Sequence, residues 1–263
     1  MINKIVGVSL IKNEEDIIAS NIIHNTRVVD ELIILDNQST DQTPQICTEL
    51  AKKYPITYIY DKTSDYQLIE KYDSLIKGAV QEHGADIVLP IDADEFLTPI
   101  KLARKTLQEL PLSHAYHIYW INYTPTVDDN HNEPHIPRRI THHLDIPYNI
   151  NYHKIILPYP IALESTVTMG CHSIQGGHHI KEFNNIFLAH YPIRTPQQLH
   201  DKVVKNVKAT SYDKTPGNHQ HVKDMNSKML RDGLPSWEEL PSMIYHYIYR
   251  AQQDTPLIDD PIQ

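Results

Sequence analysis

Asp86-Ile87-Val88-Leu89-Pro90-Ile91-Asp92-Ala93-Asp94-Glu95-Phe96 is the stretch on which the fold turns. A short apolar run of strand length ends in two carboxylates two residues apart. Pro90 removes a ladder donor, so it marks the end of the strand or a bulge beside a site. Upstream, apolar runs alternate with amphipathic segments. Lys4–Ile11, Glu31–Leu35 and Ile56–Tyr60 read as buried strands. Leu68, Tyr72, Leu75, Ile76, Ala79 and Val80 fall on one face of a 3.6-residue period and predict a helix that ends at His83-Gly84. Asn13 is expected to cap a helix carrying Glu14, Glu15 and Asp16 in its first turn. Thr43-Pro44 and Thr98-Pro99 each look like a cap followed by proline at the first helical position.

Strands alternating with helices imply a mostly parallel sheet with right-handed crossovers. Ligands of such sheets sit outside the carboxyl ends of the strands. Lys12–Glu14, Asp36–Asp41 and Asp92–Glu95 all lie at such ends, so the architecture would gather them on one rim.

The rest of the chain is less regular. His114–Tyr123, Tyr152–Leu157, Ser165–Met169 and Ile186–His190 read as strands, and Asp128–Asp145 as a long polar loop. Thr195-Pro196 opens a helix with Leu199, Val203 and Val207 inward. Tyr212–His221 reads as a loop and Trp237–Tyr249 as an aromatic helix. The expected organisation is a ligand-binding half over 1–110, a second half over 111–250, and a frayed tail over 251–263.

Composition sets the outer limits. The 263 residues are 40% hydrophobic and 22% charged, which excludes wholesale disorder. With 24 basic and 33 acidic side chains the net charge is −9, which argues against a nucleic-acid binder working through a broad basic face. Cys47 and Cys171 cannot make a disulfide framework and suit a reducing compartment. No apolar run reaches membrane-span length. The N-terminus is too short and too soon acidic for a signal peptide. A cytoplasmic chain is expected, with peripheral membrane contact left open.

Two carboxylates at a strand end can share one hard cation, and magnesium and manganese keep positions for substrate phosphates. Asp36 can accept a hydrogen bond from a base N–H, while the hydroxyls and amides of Asn37-Gln38-Ser39-Thr40 can donate. Two other readings of the carboxylates fail. A phosphatase of the haloacid-dehalogenase type has Thr or Val where Phe96 stands, and places its motif near the N-terminus. An EF-hand calcium loop needs a third oxygen ligand and a glycine at fixed offsets. No HExxH or CxxC spacing supports zinc.

Val8-Ser9-Leu10-Ile11-Lys12-Asn13-Glu14-Glu15, Leu35-Asp36-Asn37-Gln38-Ser39-Thr40-Asp41-Gln42-Thr43 and Ile91-Asp92-Ala93-Asp94-Glu95-Phe96-Leu97, in that order and spacing, resemble the signatures of glycosyltransferase family 2, in its DxDEF-bearing branch. Leu188-Ala189-His190-Tyr191-Pro192-Ile193-Arg194-Thr195 with Lys202 resembles a later element of that branch. The resemblance implies a GT-A fold and a metal-dependent transferase. The enzyme would move a sugar, with inversion, from a nucleotide donor, expected to be a UDP-sugar, to a glycan or lipid-linked acceptor, the setting being surface polysaccharide synthesis. By the same resemblance Asn13, Glu14, Asp36, Asn37 and Ser39 border the nucleotide, and Asp92 meets ribose or metal. Asp94 ligates Mn2+ or Mg2+, and His190 is the third ligand, with His172 as its rival. Tyr119, Trp120 and Tyr123 suit an acceptor cleft, and Trp237, Tyr245, Tyr247 and Tyr249 could cover it.

The family's usual Glu-Asp pair for the general base has no counterpart. Glu95 is the candidate base, with Glu164 and Glu182 in reserve. The missing pair keeps a non-catalytic sugar-nucleotide or glycan-binding module in view. A nucleotidyltransferase fits less well, because Leu10–Glu14 has no glycine.

Overall fold

The computed structural model describes residues 2–63, 67–146, 152–210, 220–249 and 256–262. Residues 212–219 of the expected loop, the side chains of Tyr245 and Tyr249, and residues 251–255 of the expected tail lie outside that description.

In chain order the elements are β1 (Ile5–Ile11), α1 (Ile18–Asn25), β2 (Glu31–Asp36), α2 (Thr43–Leu50), β3 (Ile56–Tyr60), α3 (Leu68–Gln81), β4 (Ile87–Pro90), β5 (Glu95–Thr98) and α4 (Ile100–Gln108). There follow β6 (Ala115–Asn122), α5 (Ile136–Arg139), β7 (His142–Leu144), β8 (His153–Pro158), α6 (Tyr159–Glu164), β9 (Thr166–Val167), β10 (Ile174–Gln175) and β11 (Ile180–His190). The last are α7 (Pro196–Thr210), α8 (Gln220–Asp232), α9 (Leu240–Tyr249) and β12 (Leu257–Asp259).

The chain divides into two compact units. The first, built on Met1–Ile121 and Pro147–His190, holds an eight-stranded sheet in the order β3-β2-β1-β4-β8-β6-β11-β5, so strands from both sides of residue 110 share one sheet. This is α/β as expected, with helices packed on the sheet, but only the β3-β2-β1-β4 part is parallel. β8 runs antiparallel to both β4 and β6, and β11 antiparallel to β5. The expectation of a mostly parallel sheet is thus met in one half and corrected in the other. Parallel pairing ends at β4, and the later strands join by antiparallel pairing instead.

Burial follows periodicity. The inward face of α3 places Tyr72, Leu75, Ile76 and Ala79 in a core with Val6, Val8, Ile33, Val88, Ile155 and Leu157. Pro90 is the last residue of β4 and pairs with Val8, while the pairing of β4 with β8 covers only Ile87 and Val88, so its missing N–H interrupts no ladder.

Three caps differ from expectation. Thr98 ends β5, and Pro99 is itself the cap of α4. α1 begins at Ile18, not beside Asn13, and α2 has Gln42 at its cap with Thr43 already helical. Asn13 and Thr43 are used between loops instead, as described below.

The second unit comprises Asn122–Ile146 and Tyr191–Pro261. Its core joins Leu199 and Val203 of α7, Val222, Met225 and Met229 of α8, and Leu240, Met243 and Ile244 of α9. The expected long loop contains α5 and β7, and β12 pairs antiparallel with β7. Residues 257–259 of the expected tail are therefore a strand, fixed by backbone pairing that an acidic, proline-containing segment does not advertise.

Among the described residues, no helix is long and apolar enough to cross a membrane.

Candidate active site

The rim expected from the strand ends forms in the first unit. The loops after β1 and β2 are laced together by side chains. Asn13 N donates to Ser39 Oγ (2.8 Å), Thr40 N to Asn13 Oδ1 (2.8 Å) and Glu14 N to Thr43 Oγ1 (2.9 Å). Asn13 sits at φ 57°, a left-handed conformation that asparagine tolerates better than most residues. That turn is what sends its side chain across to the second loop rather than onto a helix terminus.

Asp36 ends β2 fully buried. One oxygen accepts from Ser39 N (2.8 Å) and the other from the Tyr58 hydroxyl (2.8 Å). Burial, then the hydrogen bond to Asp36, raises the Tyr58 phenol, so it stays a donor. Asn37 Oδ1 accepts from Lys71 Nζ (3.0 Å), which also pairs with Asp61 at 2.7 Å. Asp61 and Lys71 help line a groove of about 460 Å³ beside α3, together with Ile33, Leu35 and Leu75.

The second cluster gathers around Asp92-Ala93-Asp94-Glu95, and α1 holds it. Asn21 Nδ2 lies within 3.1 Å of the carbonyl oxygens of Asp92, Ala93 and Glu95. Asn25 donates to Glu95 O (2.9 Å) and accepts from Leu97 N (2.9 Å), and His24 Nε2 donates to Leu97 O (2.8 Å). β5 is the last strand of the sheet. Side chains of a helix therefore take the place of a missing neighbour along its outer edge, which keeps that edge paired.

The carboxylates then separate by environment. Asp92 accepts from the Tyr72 hydroxyl (2.6 Å) on one oxygen and from Lys154 Nζ (2.6 Å) on the other. Lys154 comes from β8 and is 1% exposed. It also lies 3.6 Å from Glu95 Oε1. Burial disfavours the charged form, but the Asp92 carboxylate at 2.6 Å outweighs it and holds the ammonium charged.

Glu95 is fully buried, and its Oε2 accepts from Asp92 N (2.9 Å). Burial lifts its carboxyl well above the usual carboxylate range, against the pull of Lys154. Such a group braces the turn. Fully buried behind Asp92 N, it does not stand open at the rim, where the expected base would meet an acceptor hydroxyl.

Asp94 turns toward β11. The register pairs His190 with Glu95, one residue past Asp94, and His190 Nε2 lies 3.7 Å from Asp94 Oδ2. The His190 ring is fixed by stacking on Trp120, with centroids 4.1 Å apart and planes at 28°. Two ligands at roughly 2.1 Å from a shared ion can stand up to about 4.2 Å apart, so this pair fits one divalent cation with positions left for phosphate oxygens and water. Asp92 differs from Asp94 in that each of its oxygens already takes a protein donor, with one lone pair left on each. Among the described residues no group of three His, Cys, Asp or Glu side chains is arranged to hold a metal.

His172, the rival, has partners of its own: its Nδ1 donates to His153 O at 2.6 Å, and its ring lies against Trp120 and Tyr152. Tyr119 is 8% exposed and bonds to Glu182. Tyr123 belongs to the second unit, where it stacks on Tyr191. Trp237 there lies against His131, and Tyr247 against Lys202.

The residues that sequence reasoning missed are Asn21, Asn25, Tyr72 and Lys154. Each left a trace. Asn21 and Asn25 interrupt the buried face of α1, and Lys154 is the one charge within Tyr152–Leu157.

The family described as glycosyl transferase family 2 matches residues 10–159, which take in both laced loops, the two aspartates and Lys154 but stop short of His190. No curated protein matches the chain. Among solved structures, S. aureus TarS aligns with 86% of this chain and 43% of its own, at 14% identity and a TM-score of 0.44, so the chain spans less than half of it. S. aureus TarS 1-349 in complex with UDP aligns over 86% of this chain and 71% of its own, at 14% identity and TM-score 0.44. A nucleotidyl transferase from Methanothermobacter thermautotroptrophicus aligns over 61% and 74%, at 13% identity and TM-score 0.37.

Proposed function

The chain belongs to glycosyl transferase family 2, and from that premise we propose that it transfers a hexosyl group, with inversion, from a uridine diphosphate sugar to a hydroxyl of a glycan or lipid-linked acceptor. The observation that carries this reading is the Asp94–His190 pair, set at a strand end beside a first aspartate engaged elsewhere. Asp36 would accept from the base N–H. Each of its oxygens takes one protein donor and keeps a second lone pair. Asn13, Glu14, Asn37 and Ser39 would border the nucleoside, and Asp92 would receive a ribose hydroxyl. Asp94 and His190 would hold manganese or magnesium, which when bound neutralises charge on the departing diphosphate. Trp120, Tyr152 and His172 offer ring faces near His190 for an acceptor sugar. Surface polysaccharide assembly in the cytoplasm is the setting this reading favours.

The test is a panel of nucleotide sugars with manganese, read as release of the nucleoside diphosphate and as thermal shift. The expected result is manganese-dependent stabilisation by UDP and turnover of at least one UDP-sugar, both lost in Asp94→Asn. The burial of Glu95 favours one rival, a module that binds the donor without transfer. Stabilisation with no turnover across donors and acceptors would select it. Pyrophosphate release from a nucleoside triphosphate would instead select nucleotidyl transfer.

A further inference from the structure

We propose that Lys154 is a positioning residue that serves as the built-in cation of Asp92, so that the two aspartates of the motif are divided, the first to lysine and the second, with His190, to the metal. The inference rests on the functional reading above.

Three observations carry it. Lys154 is the only charged residue of β8, and its side chain is 1% exposed, so it cannot be a solvated surface lysine. A buried ammonium needs a partner, and its nearest is Asp92 Oδ2 at 2.6 Å, with Glu95 Oε1 at 3.6 Å. The other Asp92 oxygen takes the Tyr72 hydroxyl, so the carboxylate is held at both ends by groups from α3 and β8. β8 is also the neighbour of β4 in the sheet, through the pairs Ile87–Pro158 and Val88–Leu157. The lysine is therefore carried on the strand that flanks the motif, and its place relative to Asp92 is set by backbone pairing rather than by a loop.

The consequence is a division of labour. Without a positive charge at that place, Asp92 and Asp94 would together attract a divalent ion, and an ion drawn between them would sit differently from one held by Asp94 and His190. With Lys154 in place, Asp92 keeps only its remaining lone pairs, suited to accepting from a neutral hydroxyl.

The experiment titrates Mn2+ in the presence of saturating UDP, following free Mn2+ by electron paramagnetic resonance, with wild type, Asp94→Asn, Asp92→Asn, Lys154→Met and the Asp92→Asn/Lys154→Met pair. Asp94→Asn is expected to weaken Mn2+ binding at least about thirtyfold, and Asp92→Asn to change it less than about threefold. Lys154→Met is expected to tighten it several-fold by freeing a carboxylate, and adding Asp92→Asn to Lys154→Met should abolish that gain. A lysine with a purely structural role would loosen the site, so the sign separates the two. If Lys154→Met does not fold, the Asp92→Asn result decides: a loss as large as that of Asp94→Asn would make Asp92 a metal ligand and overturn the proposal. A wild type that binds neither Mn2+ nor UDP would overturn the functional reading itself, and the proposal with it.

Discussion

Asn21 and Asn25 make a sharp test of how α1 holds the site, because a count of bonds and an account of orphaned groups predict opposite rankings. Asn21 Nδ2 touches three carbonyls, whereas Asn25 makes two hydrogen bonds. Counting bonds ranks Asn21→Ala as the more damaging. The structure gives the reverse order. Of the three carbonyls at Asn21, Asp92 O also accepts from Glu95 N, and Glu95 O keeps Asn25. Only Ala93 O loses its named donor. Truncation also removes the Asn21 Oδ1 atom, which is buried without a partner. The net cost is about 1–2 kcal/mol. In Asn25→Ala, by contrast, the N–H of Leu97 is stranded in a fully buried strand. A stranded donor costs about 1–3 kcal/mol, and the lost bond to Glu95 O adds roughly 0.5–1 kcal/mol, giving about 2–4 kcal/mol. At about 2–4 °C per kcal/mol for a chain of this size, Asn25→Ala lowers Tm by roughly 4–16 °C and Asn21→Ala by roughly 2–8 °C, about twice as far for the first at any one slope. Differential scanning calorimetry of the two variants and wild type at one pH reads the difference directly. A shift for Asn21→Ala equal to or larger than that for Asn25→Ala would refute the reasoning.

Other consequences are simpler to state. Burial, and then the neighbouring His117 and His172, push His153 down to about 4. The folded state therefore binds this proton less readily than the unfolded chain, so the contribution is present above the ordinary histidine range and is lost as pH falls from about 6.5 toward 4. His153→Gln should flatten the fall of Tm across that window, and an unchanged slope would count against it. Both cysteines are fully buried with thiols pushed up to about 12, so iodoacetamide at pH 8 should add nothing to the native protein and two groups after denaturation, by intact mass. A Cβ at Gly7 would meet Leu32 Cδ1 at 2.8 Å and Ile91 Cδ1 at 3.4 Å inside the sheet core. Gly7→Ala should then cost about 1–3 kcal/mol in urea denaturation, and a neutral result would show that Leu32 can yield.

What the amino-acid order reveals divides along the range of the interactions involved. β1, β2, β3 and α3 declare themselves because each is specified by its own residues: an apolar run, or one face of a 3.6-residue period. The rim at their carboxyl ends follows from parallel topology, and so the placement of Asp36, Asp92 and Asp94 was legible before any coordinates. β5 was not. Four residues, Glu95–Thr98, carry no period of their own, and they are a strand because β11 pairs along one edge while Asn25 and His24 satisfy the other. α8 was missed for a different reason. Val222, Met225 and Met229 do fall at helical spacing, but the residues between them are polar enough to hide the stripe. The chemistry of the site shows the same division. Which carboxylate takes a lysine and which faces His190 is decided by β8 and β11, some 60 and 95 positions downstream of the motif. Read alone, Asp92 and Asp94 look equivalent. The fold makes them unequal by bringing a buried ammonium to one and an imidazole to the other, and it is this inequality that a mechanism at this rim must use.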